Sequence, residues 1–374
     1  MKREITSILK CPVSGKDLVT ASDAALKELN KRIHNNSLKH ITGEKVKNSI
    51  DHALITVDDK FLYLILDGII LLRKDLAIVI DDTYFLKHGK LQLRDEKRHV
   101  QDFYNETGWH KSEKGDFEDA ELFEDLRPVA EEYVRNCHKR VSSHLKSKGD
   151  FILDAGSGPI QFDAYLEYSK GYKYRICVDL TLQALRQAKQ KLGDKGVYLI
   201  ADITNLPIKS DVVDAAVSLN VIYHIPKDEQ RKAIEEITRA LKPEHKAVIV
   251  YSWGDKFSLF MNVALFYIKI FQGFQKMHRI LKSKLLPNQG NPGLYFHAWP
   301  PSYFKQSKWE AKIDILVWRS ISVPFSKIYA QPFLGGKRLL KTIYNWEERN
   351  PRTAGKFGQY PMLVVTKKQR KAKT

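Results

Sequence analysis

Cysteine is scarce in this 374-residue sequence, in which only Cys11, Cys137 and Cys177 occur, far apart and without a CxxC pair. Three isolated thiols exclude a disulfide framework and a complete thiolate zinc site. Long hydrophobic runs are also missing, because no stretch reaches the roughly 18 uncharged apolar residues of a membrane-spanning helix. The N-terminus has no apolar signal-peptide core. We therefore expect a cytoplasmic protein, neither secreted nor integral to a membrane, without a bound metal.

Acidic residues are rare in the last third of the chain. Residues 251–374 contain 22 Lys and Arg but only five Asp and Glu, and they carry nearly all of the net charge of +18. We expect this region to face an anionic partner or a membrane surface. Residues 151–250 are electrically balanced, with 14 basic and 13 acidic side chains.

From residue 150 onward, apolar runs alternate with helical patterns. The runs are "DFILDAG", "YRICVDL", "GVYLIAD", "DAAVSLN" and "KAVIVYSW", followed later by "KIDILVW" at 312–318 and "PMLVVTK" at 361–367. This rhythm is typical of consecutive βαβ units. It predicts an α/β fold with a Rossmann-like sheet of seven strands and helices on both faces, including a helix near 160–170.

The pattern divides the chain into three parts. Residues 1–80 combine a helical stretch with two strand-like runs, "HALITV" and "FLYLILDGIILL", which predicts a small α+β domain. Residues 81–147 are acidic and helix-like, as expected for a linker that covers the main site. Residues 148–374 form the main domain, with an insertion or lid at about 255–310 that holds much of the basic charge.

The segment "FILDAGSGPIQFDAYL" at 151–166 ends a predicted strand and opens into glycines. Gly156 and Gly158 allow a sharp turn and close approach to a ligand. The third glycine of a dinucleotide site is absent, and Asp154 would repel a diphosphate but suit a cationic amino acid. Asp179 ends the next strand, where a carboxylate can accept ribose hydroxyls. These features favour adenosine that carries an amino acid without phosphates; NAD, or no ligand, is the alternative.

The residues resemble the class I S-adenosylmethionine-dependent methyltransferases over about 148–254. The resemblance lies in "LDAGSGP", "CVDL", "ADITNLPIKSDVVDAAVSLNVIYHI" and "ITRALKPEHKAVIVYSW". It implies S-adenosyl-L-methionine as the cofactor. Ile160 departs from the pattern, because many members of the family have a third glycine at this position. The resemblance implies a cofactor site formed by Asp154, Gly156, Gly158, Asp179, Leu180, Asp202, Ile203 and Asn220. For Asp202, capping the following turn is the alternative role.

The N-terminal segment resembles the small zinc-binding activator proteins of methyltransferases. The resemblance is carried by "ILKCPVSGKDL" and "FLYLILDGIILL". Cys11 matches the first thiolate of a Cys-Pro-x-Cys knuckle, whereas Ser14 stands at the second position and the downstream pair is missing. Because a tetrahedral zinc site needs four ligands, we expect a zinc-free domain that packs on the catalytic domain or recruits substrate.

Two histidines are candidate general bases for methyl transfer to a hydroxyl. His224 follows the predicted fourth strand, and His297 lies in "GLYFHAWPPSYF". A histidine at the rim of a cofactor pocket can remove a hydroxyl proton, although His224 could equally only pack beneath the cofactor. Tyr104 could face the sulfonium by cation–π attraction, or serve as a core residue of a covering helix. Arg127 could pair with a carboxylate of the cofactor or substrate, or with Glu124.

Three functions are compatible with this pattern. The first is methyl transfer, at oxygen, to a small-molecule or lipid-linked acceptor; the second is RNA methylation, with the basic last third contacting phosphates. The third is a partner subunit without catalytic activity. Residues 257–287 join an apolar half to a basic half, which is typical of a lid or of a helix on an anionic membrane surface. No RNA-binding module is recognisable, so the sequence favours the first function.

Overall fold

A mixed β-sheet crosses the molecule. The computed structural model describes residues 2–81, 83–91, 124–268, 295–306 and 308–369. The strands of the described part are β1 Leu18–Thr20, β2 Lys39–His40, β3 Ala53–Thr56, β4 Phe61–Leu66, β5 Ile69–Leu71, β6 Ile78–Val79, β7 Gly149–Ala155, β8 Tyr172–Asp179, β9 Gly196–Ile200, β10 Val213–Leu219, β11 Leu241–Val250, β12 Ala311–Arg319 and β13 Tyr360–Lys367.

The seven strands from β7 to β13 confirm the predicted fold class. Their order in the sheet is β9-β8-β7-β10-β11-β13-β12. The first five are parallel to their neighbours, whereas β13 runs antiparallel to both β11 and β12. Strand order reverses between β7 and β10, which places a crevice beyond the carboxyl ends of these two strands.

The N-terminal strands extend the same sheet. β5 pairs in parallel with β9, so that Ile69 lies opposite Tyr198 and Leu71 opposite Ile200. β4 then pairs with β5, and β3 and β6 pair with β4. Side chains of both parts share one hydrophobic core. The edge of the sheet at β9 is therefore covered, which removes a row of unpaired backbone groups.

Helices lie on both faces of the sheet. The α-helices of the described part are Arg3–Thr6, Asp23–His34, Tyr84–His88, Glu131–Ser142, Leu182–Leu192, Gln230–Ala240, Gly254–Phe257, Leu259–Ala264, Pro301–Gln306, Val323–Tyr329, Gly336–Arg349 and Pro351–Phe357. Short 3₁₀ helices span Lys74–Leu76, Asp163–Ser169, Gly193–Lys195, Ile203–Asn205, Ile222–His224 and Pro332–Leu334.

Two local predictions need correction. The helix expected near 160–170 is a 3₁₀ helix, Asp163–Ser169, whose tyrosines Tyr165 and Tyr168 stack on each other with ring centroids 5.6 Å apart. The apolar run 61–72 is not one strand but a hairpin, because Asp67 and Gly68 both have positive φ, at 51° and 74°. Two such residues form the tight turn that joins antiparallel strands.

A buried ion pair fixes the helix Gly336–Arg349 to the sheet. Glu347 is fully buried and accepts hydrogen bonds from Arg140 Nη1 at 2.8 Å, from Tyr133 Oη at 2.7 Å and from the Ser320 backbone N at 2.8 Å. Arg140 also donates to the carbonyl of Trp318 at 2.8 Å. Satisfied charges of this kind are tolerated inside a protein, but removing one partner leaves the other uncompensated.

We predict that Glu347→Ala lowers the free energy of unfolding by about 3–5 kcal/mol, because Arg140 keeps only the half-exposed Glu348 as a counter-charge and the buried donors Tyr133 Oη and Ser320 N lose their acceptor. Glu348→Ala is the matched control, since Glu348 also binds Arg140, at 2.6 Å, but its side chain is 50% exposed. The control should cost at most about 1 kcal/mol. Urea unfolding followed by circular dichroism compares the two variants, and equal losses would contradict the prediction.

Candidate functional site

A cavity of about 390 Å³ opens at the point where strand order reverses. Pockets of this size hold small molecules or cofactors. Residues that follow β7, β8, β9 and β10 all reach it, because the carboxyl ends of parallel strands meet at one edge of the sheet. Its wall includes Asp154, Gly156, Gly158, Asp179, Leu180, Asp202, Ile203, Asn220 and His224, as well as residues from the last two strands.

The glycine turn after β7 is closely packed. Gly156 has a φ of +77°, and a Cβ atom there would lie 2.6 Å from Cγ2 of Val221. Gly158 also has a positive φ, 53°, and Ile160 has 55° with its side chain fully buried. A β-branched residue rarely adopts this conformation, so Ile160 takes the left-handed backbone that a third glycine would adopt freely. The turn therefore forms without that glycine.

Asp154 already has a cationic partner. Its Oδ2 accepts hydrogen bonds from Arg175 Nε at 3.0 Å and from Arg175 Nη2 at 2.6 Å, and both side chains are buried. Arg175 also donates to the carbonyl of Tyr165 at 2.5 Å. Burial alone would lower the pKa of Arg175, but the charge of Asp154 contributes to raising it above its ordinary value. Asp154 lines the cavity as a neutralised carboxylate, a pairing that the sequence did not indicate.

Asp179 holds the glycine turn and the next helix together. Its Oδ2 accepts a hydrogen bond from the Gly158 backbone N at 2.9 Å, and its Oδ1 accepts from Thr181 N at 3.0 Å and Thr181 Oγ1 at 3.1 Å. Burial raises the pKa of this carboxyl above its usual value, against these hydrogen bonds, which lower it. A carboxylate has about four lone-pair sites, so Asp179 retains capacity for a ligand hydroxyl.

Asp202 lies at the end of β9 and caps the 3₁₀ helix Ile203–Asn205. Its Oδ1 accepts from Thr204 N at 2.8 Å and from Thr204 Oγ1 at 2.7 Å. The alternative role, capping of the following turn, is thus present in the structure. Ile203 and Leu180 lie on the same wall of the cavity, where apolar side chains can contact a flat ring.

Asn220 has the clearest unmet hydrogen-bonding capacity on the wall of the cavity. Its Oδ1 atom is buried and has no hydrogen-bond partner within the described part of the chain. Its backbone is left-handed, with a φ of 59°. A buried acceptor without a partner costs free energy, and a ligand donor would satisfy it. The glycine turn and Asn220 Oδ1 therefore fit a ligand with an amino group.

His224 is neutral and half-buried at the rim of the cavity. Its Nδ1 lies 2.7 Å from the carbonyl oxygen of Tyr295, which can only accept, so Nδ1 carries the hydrogen and Nε2 keeps a lone pair. Burial lowers the pKa of His224 to about 4, while the hydrogen bond to Tyr295 raises it slightly. His224 is therefore unprotonated at neutral pH.

Two further described candidates, His297 and Arg127, do not line the cavity. The His297 ring lies against Trp299, with centroids 5.0 Å apart. Burial lowers the pKa of His297. Tyr104 lies outside the described residues. Arg127 pairs with Asp125 rather than with Glu124, because its Nη2 donates to Asp125 Oδ2 at 2.8 Å.

The end of the cavity away from the glycine turn is formed by residues that sequence reasoning missed. Arg319, at the end of β12, is buried and donates to Oε1 of Glu124. Arg319 Nε and Gln359 Oε1 are both buried and have no hydrogen-bond partner among the described residues. Tyr360 lies beside them. A donor and an acceptor without partners at one end of a cavity can bind a polar group of a second ligand.

The described part of the cavity wall carries mostly negative charge. Among the described residues it contains one arginine, Arg319, and five carboxylates. The carboxylates are Glu124, Asp154, Asp179, Asp202 and Asp255. Ion pairs neutralise Glu124 and Asp154. A polyphosphate would be repelled by this wall, whereas a cationic ligand is favoured.

Comparison with known proteins agrees with this site. Residues 153–249 match the family model described as a methyltransferase domain. An uncharacterized protein of Methanocaldococcus jannaschii is 28% identical over 236 residues, which cover 62% of this chain and 93% of that protein. A tRNA (carboxymethyluridine(34)-5-O)-methyltransferase of Arabidopsis thaliana is 35% identical over 108 residues, 28% of this chain. The chain spans about 25% of the length of that relative.

A solved structure, Haemonchus contortus phosphoethanolamine N-methyltransferase 2 with S-adenosyl-L-methionine, is similar at a TM-score of 0.41 and 16% identity, over 72% of this chain and 60% of that one. This similarity is too low to bear on function. The match of residues 153–249 to the family model coincides with β7 to β11 and with most of the cavity wall. Residues 153–249 therefore form a methyltransferase domain, and the chain is an S-adenosylmethionine-dependent methyltransferase.

Proposed function

We propose that the chain binds S-adenosyl-L-methionine in this cavity and methylates an oxygen of a small-molecule or lipid-linked acceptor. The observation that carries the proposal is the acidic cavity built around the glycine turn at the reversal of strand order. The bound cofactor would supply an electrophilic methyl group on a sulfonium. The residues of the chain then have to align the acceptor, exclude water and remove a proton.

Each part of the cofactor has a matching set of residues. Asp179 would accept the ribose hydroxyls, and Leu180 and Ile203 would contact the adenine beside Asp202. Gly156 and Gly158 leave room for the methionine part close to the backbone. The buried Oδ1 of Asn220 would accept a hydrogen bond from its amino group.

Aromatic and apolar side chains support an acceptor with an apolar body. Phe162, Tyr223, Ile225, Phe296 and Tyr360 line the cavity, and Tyr223 packs on Phe296 with ring centroids 5.2 Å apart. Such surfaces exclude water from the reacting atoms and bind apolar groups.

His224 is the proposed general base. Its Nε2 lone pair would accept the hydroxyl proton of the acceptor while that oxygen is methylated, and the carbonyl of Tyr295 fixes the tautomer. A pKa of about 4 keeps the base unprotonated at every pH above that value. The Asp154–Arg175 pair keeps the adjacent wall rigid without adding a free negative charge.

RNA is the second candidate acceptor. The Arabidopsis thaliana relative is named as a tRNA methyltransferase, and the basic last third of the chain could contact phosphates. The acidic cavity disfavours a phosphate near the reacting atoms. An RNA acceptor would fit this cavity only if a substituent on one of its nucleosides reached into the cavity while the phosphates stayed outside.

Substitution of Asp179 tests the cofactor site. We predict that Asp179→Asn weakens binding of S-adenosylhomocysteine by about tenfold to hundredfold, because hydrogen bonds to a charged acceptor are lost. Asp163→Asn is the control, since Asp163 follows the cavity residue Phe162 in the sequence but does not line the cavity, and its side chain is 93% exposed. Isothermal titration calorimetry measures both affinities. No binding by the unmodified protein would overturn the proposed function.

The pH dependence of His224 tests the proposed base. Because its pKa lies near 4, we predict that His224 stays neutral from pH 5 to pH 8 and that transfer loses this base only as the pH falls through about 4. Ring resonances in NMR spectra, assigned with a His224→Gln variant, report this titration. In a transfer assay His224→Gln should reduce the rate about 10²–10⁴-fold, whereas His297→Gln should change it little. The opposite pattern would identify His297 as the base.

Transfer of a labelled methyl group tests the acceptor class. An extract of the source organism is incubated with the protein and tritiated S-adenosyl-L-methionine, then separated into organic-soluble, small polar and RNA fractions. We predict that the label enters the organic or small polar fraction and resists ribonuclease, because the acidic cavity disfavours phosphates. Label that ribonuclease releases from RNA would favour the second candidate. The Asp179→Asn variant gives the background.

A further inference from the structure

Exposed apolar side chains are concentrated in two segments of the described chain. Of the 15 large hydrophobic residues that are exposed, nine lie between Leu259 and Tyr267 or between Ile328 and Trp346. We call these nine residues the apolar face: Leu259, Val263, Phe266, Tyr267, Ile328, Tyr329, Phe333, Leu334 and Trp346. Single exposed apolar residues are ordinary, but a group of them marks an interaction surface.

Direct contacts join the two segments into one surface. Tyr329 Oη donates a hydrogen bond to the carbonyl of Ala264 at 2.8 Å, and the neighbouring Tyr267 side chain raises the pKa of Tyr329. Phe260 packs on Trp346 with ring centroids 5.6 Å apart. The helices Leu259–Ala264, Val323–Tyr329 and Gly336–Arg349 are thus neighbours.

The most exposed point of the apolar face is the turn between two helices. Phe333 is 81% exposed and Leu334 is 70% exposed. Both belong to the 3₁₀ helix Pro332–Leu334, which Gly335 ends with a φ of 74°. The adjacent Ala330 and Gly336 are buried, so the turn is anchored at its base while its apolar tip points away from the core.

Four exposed cations flank this turn in the sequence. Lys327, Lys337, Arg338 and Lys341 are exposed, and none of the four forms an ion pair within the described residues. The sequence has no Asp or Glu between Asp314 and Glu347. Lys337 and Arg338 lie in the first turn of the helix Gly336–Arg349, where the helix dipole disfavours cations. Helix stability therefore does not explain their position.

We propose that the apolar face and these four cations bind the surface of a membrane rich in anionic phospholipid. Phe333 and Leu334 enter the boundary between headgroups and acyl chains, and the cations contact headgroup phosphates. Val263, Ile328 and Leu334 favour lipid over RNA, because aliphatic side chains cannot stack on bases as aromatic rings do. No described helix is long and apolar enough to cross a membrane.

Vesicle flotation tests this surface. The probes are vesicles of phosphatidylcholine with about 30 mol% phosphatidylserine and vesicles of phosphatidylcholine alone, and we expect binding to the anionic vesicles only. Phe333→Ser with Leu334→Ser should lower the partition coefficient more than about tenfold. Lys337→Glu with Arg338→Glu should lower it at least about thirtyfold.

Matched substitutions at other exposed sites test whether binding depends on where these residues lie, rather than on the mere loss of an apolar or positively charged side chain. Leu86 is 87% exposed but lies in the N-terminal part, so Leu86→Ser should leave binding unchanged. Lys45→Glu with Lys47→Glu, both at exposed sites, should have a much smaller effect than the pair at Lys337 and Arg338. Equal losses in test and control variants, or absence of flotation by the unmodified protein, would overturn the proposal.

Two further measurements distinguish this inference from the proposed function. Calorimetry with S-adenosylhomocysteine should give the same affinity for every variant, because none of the substituted residues lines the cavity. A failure of flotation with normal cofactor binding therefore contradicts the membrane contact alone. A salt-sensitive complex with tRNA that depends on Lys337 and Arg338, without flotation, would assign the surface to nucleic acid instead.

Discussion

The close packing of Gly156 against Val221 is the constraint on which the site depends. A side chain at position 156 would occupy the volume of Val221, and only a glycine adopts a φ of +77° without strain. The turn is fixed further by Gly156 N, which donates to the Val178 carbonyl at 2.8 Å. Because Val221 follows β10 and Val178 lies in β8, this one turn sets the spacing of Asp179 and Asn220 across the cavity.

Opposite charges are separated in the molecule. The wall of the cavity is acidic, whereas the outer surface near Phe333 is basic. At physiological ionic strength exposed charges more than about 8 Å apart are largely screened from each other, so each surface can select its own ligand. A cationic cofactor and an anionic membrane would therefore bind different residues of the chain.

Local patterns in the sequence were sufficient for the fold and for the framework of the site. Alternating apolar runs predicted β7 to β13, and the glycine motif predicted the turn, because both features depend on residues close in the chain. The pairs Arg175–Asp154 and Arg319–Glu124 could not be predicted. Each partner comes from a different element, and only the packed sheet brings them together.

The pairing of β5 with β9 also could not be predicted from the sequence, because a three-residue strand carries no periodic signal that selects its partner. This pairing affects the cavity. β9 leads directly into Asp202 and Ile203, and the loop that follows is held by Lys10 N, which donates to the Pro207 carbonyl at 3.0 Å, and by Asn205 Nδ2, which donates to the Pro12 carbonyl at 2.9 Å.

Cys11 shows how this N-terminal turn is held by protein contacts. Its buried thiol lies 3.1 Å from the Tyr63 hydroxyl and accepts a hydrogen bond from Ser14 N at 3.3 Å. The turn that contains Pro12 is thereby tied to β4, and through β5 to β9. A loosening of this turn would therefore displace the loop after Asp202. The N-terminal part supports the cavity indirectly, because none of the described residues before Glu124 lines it.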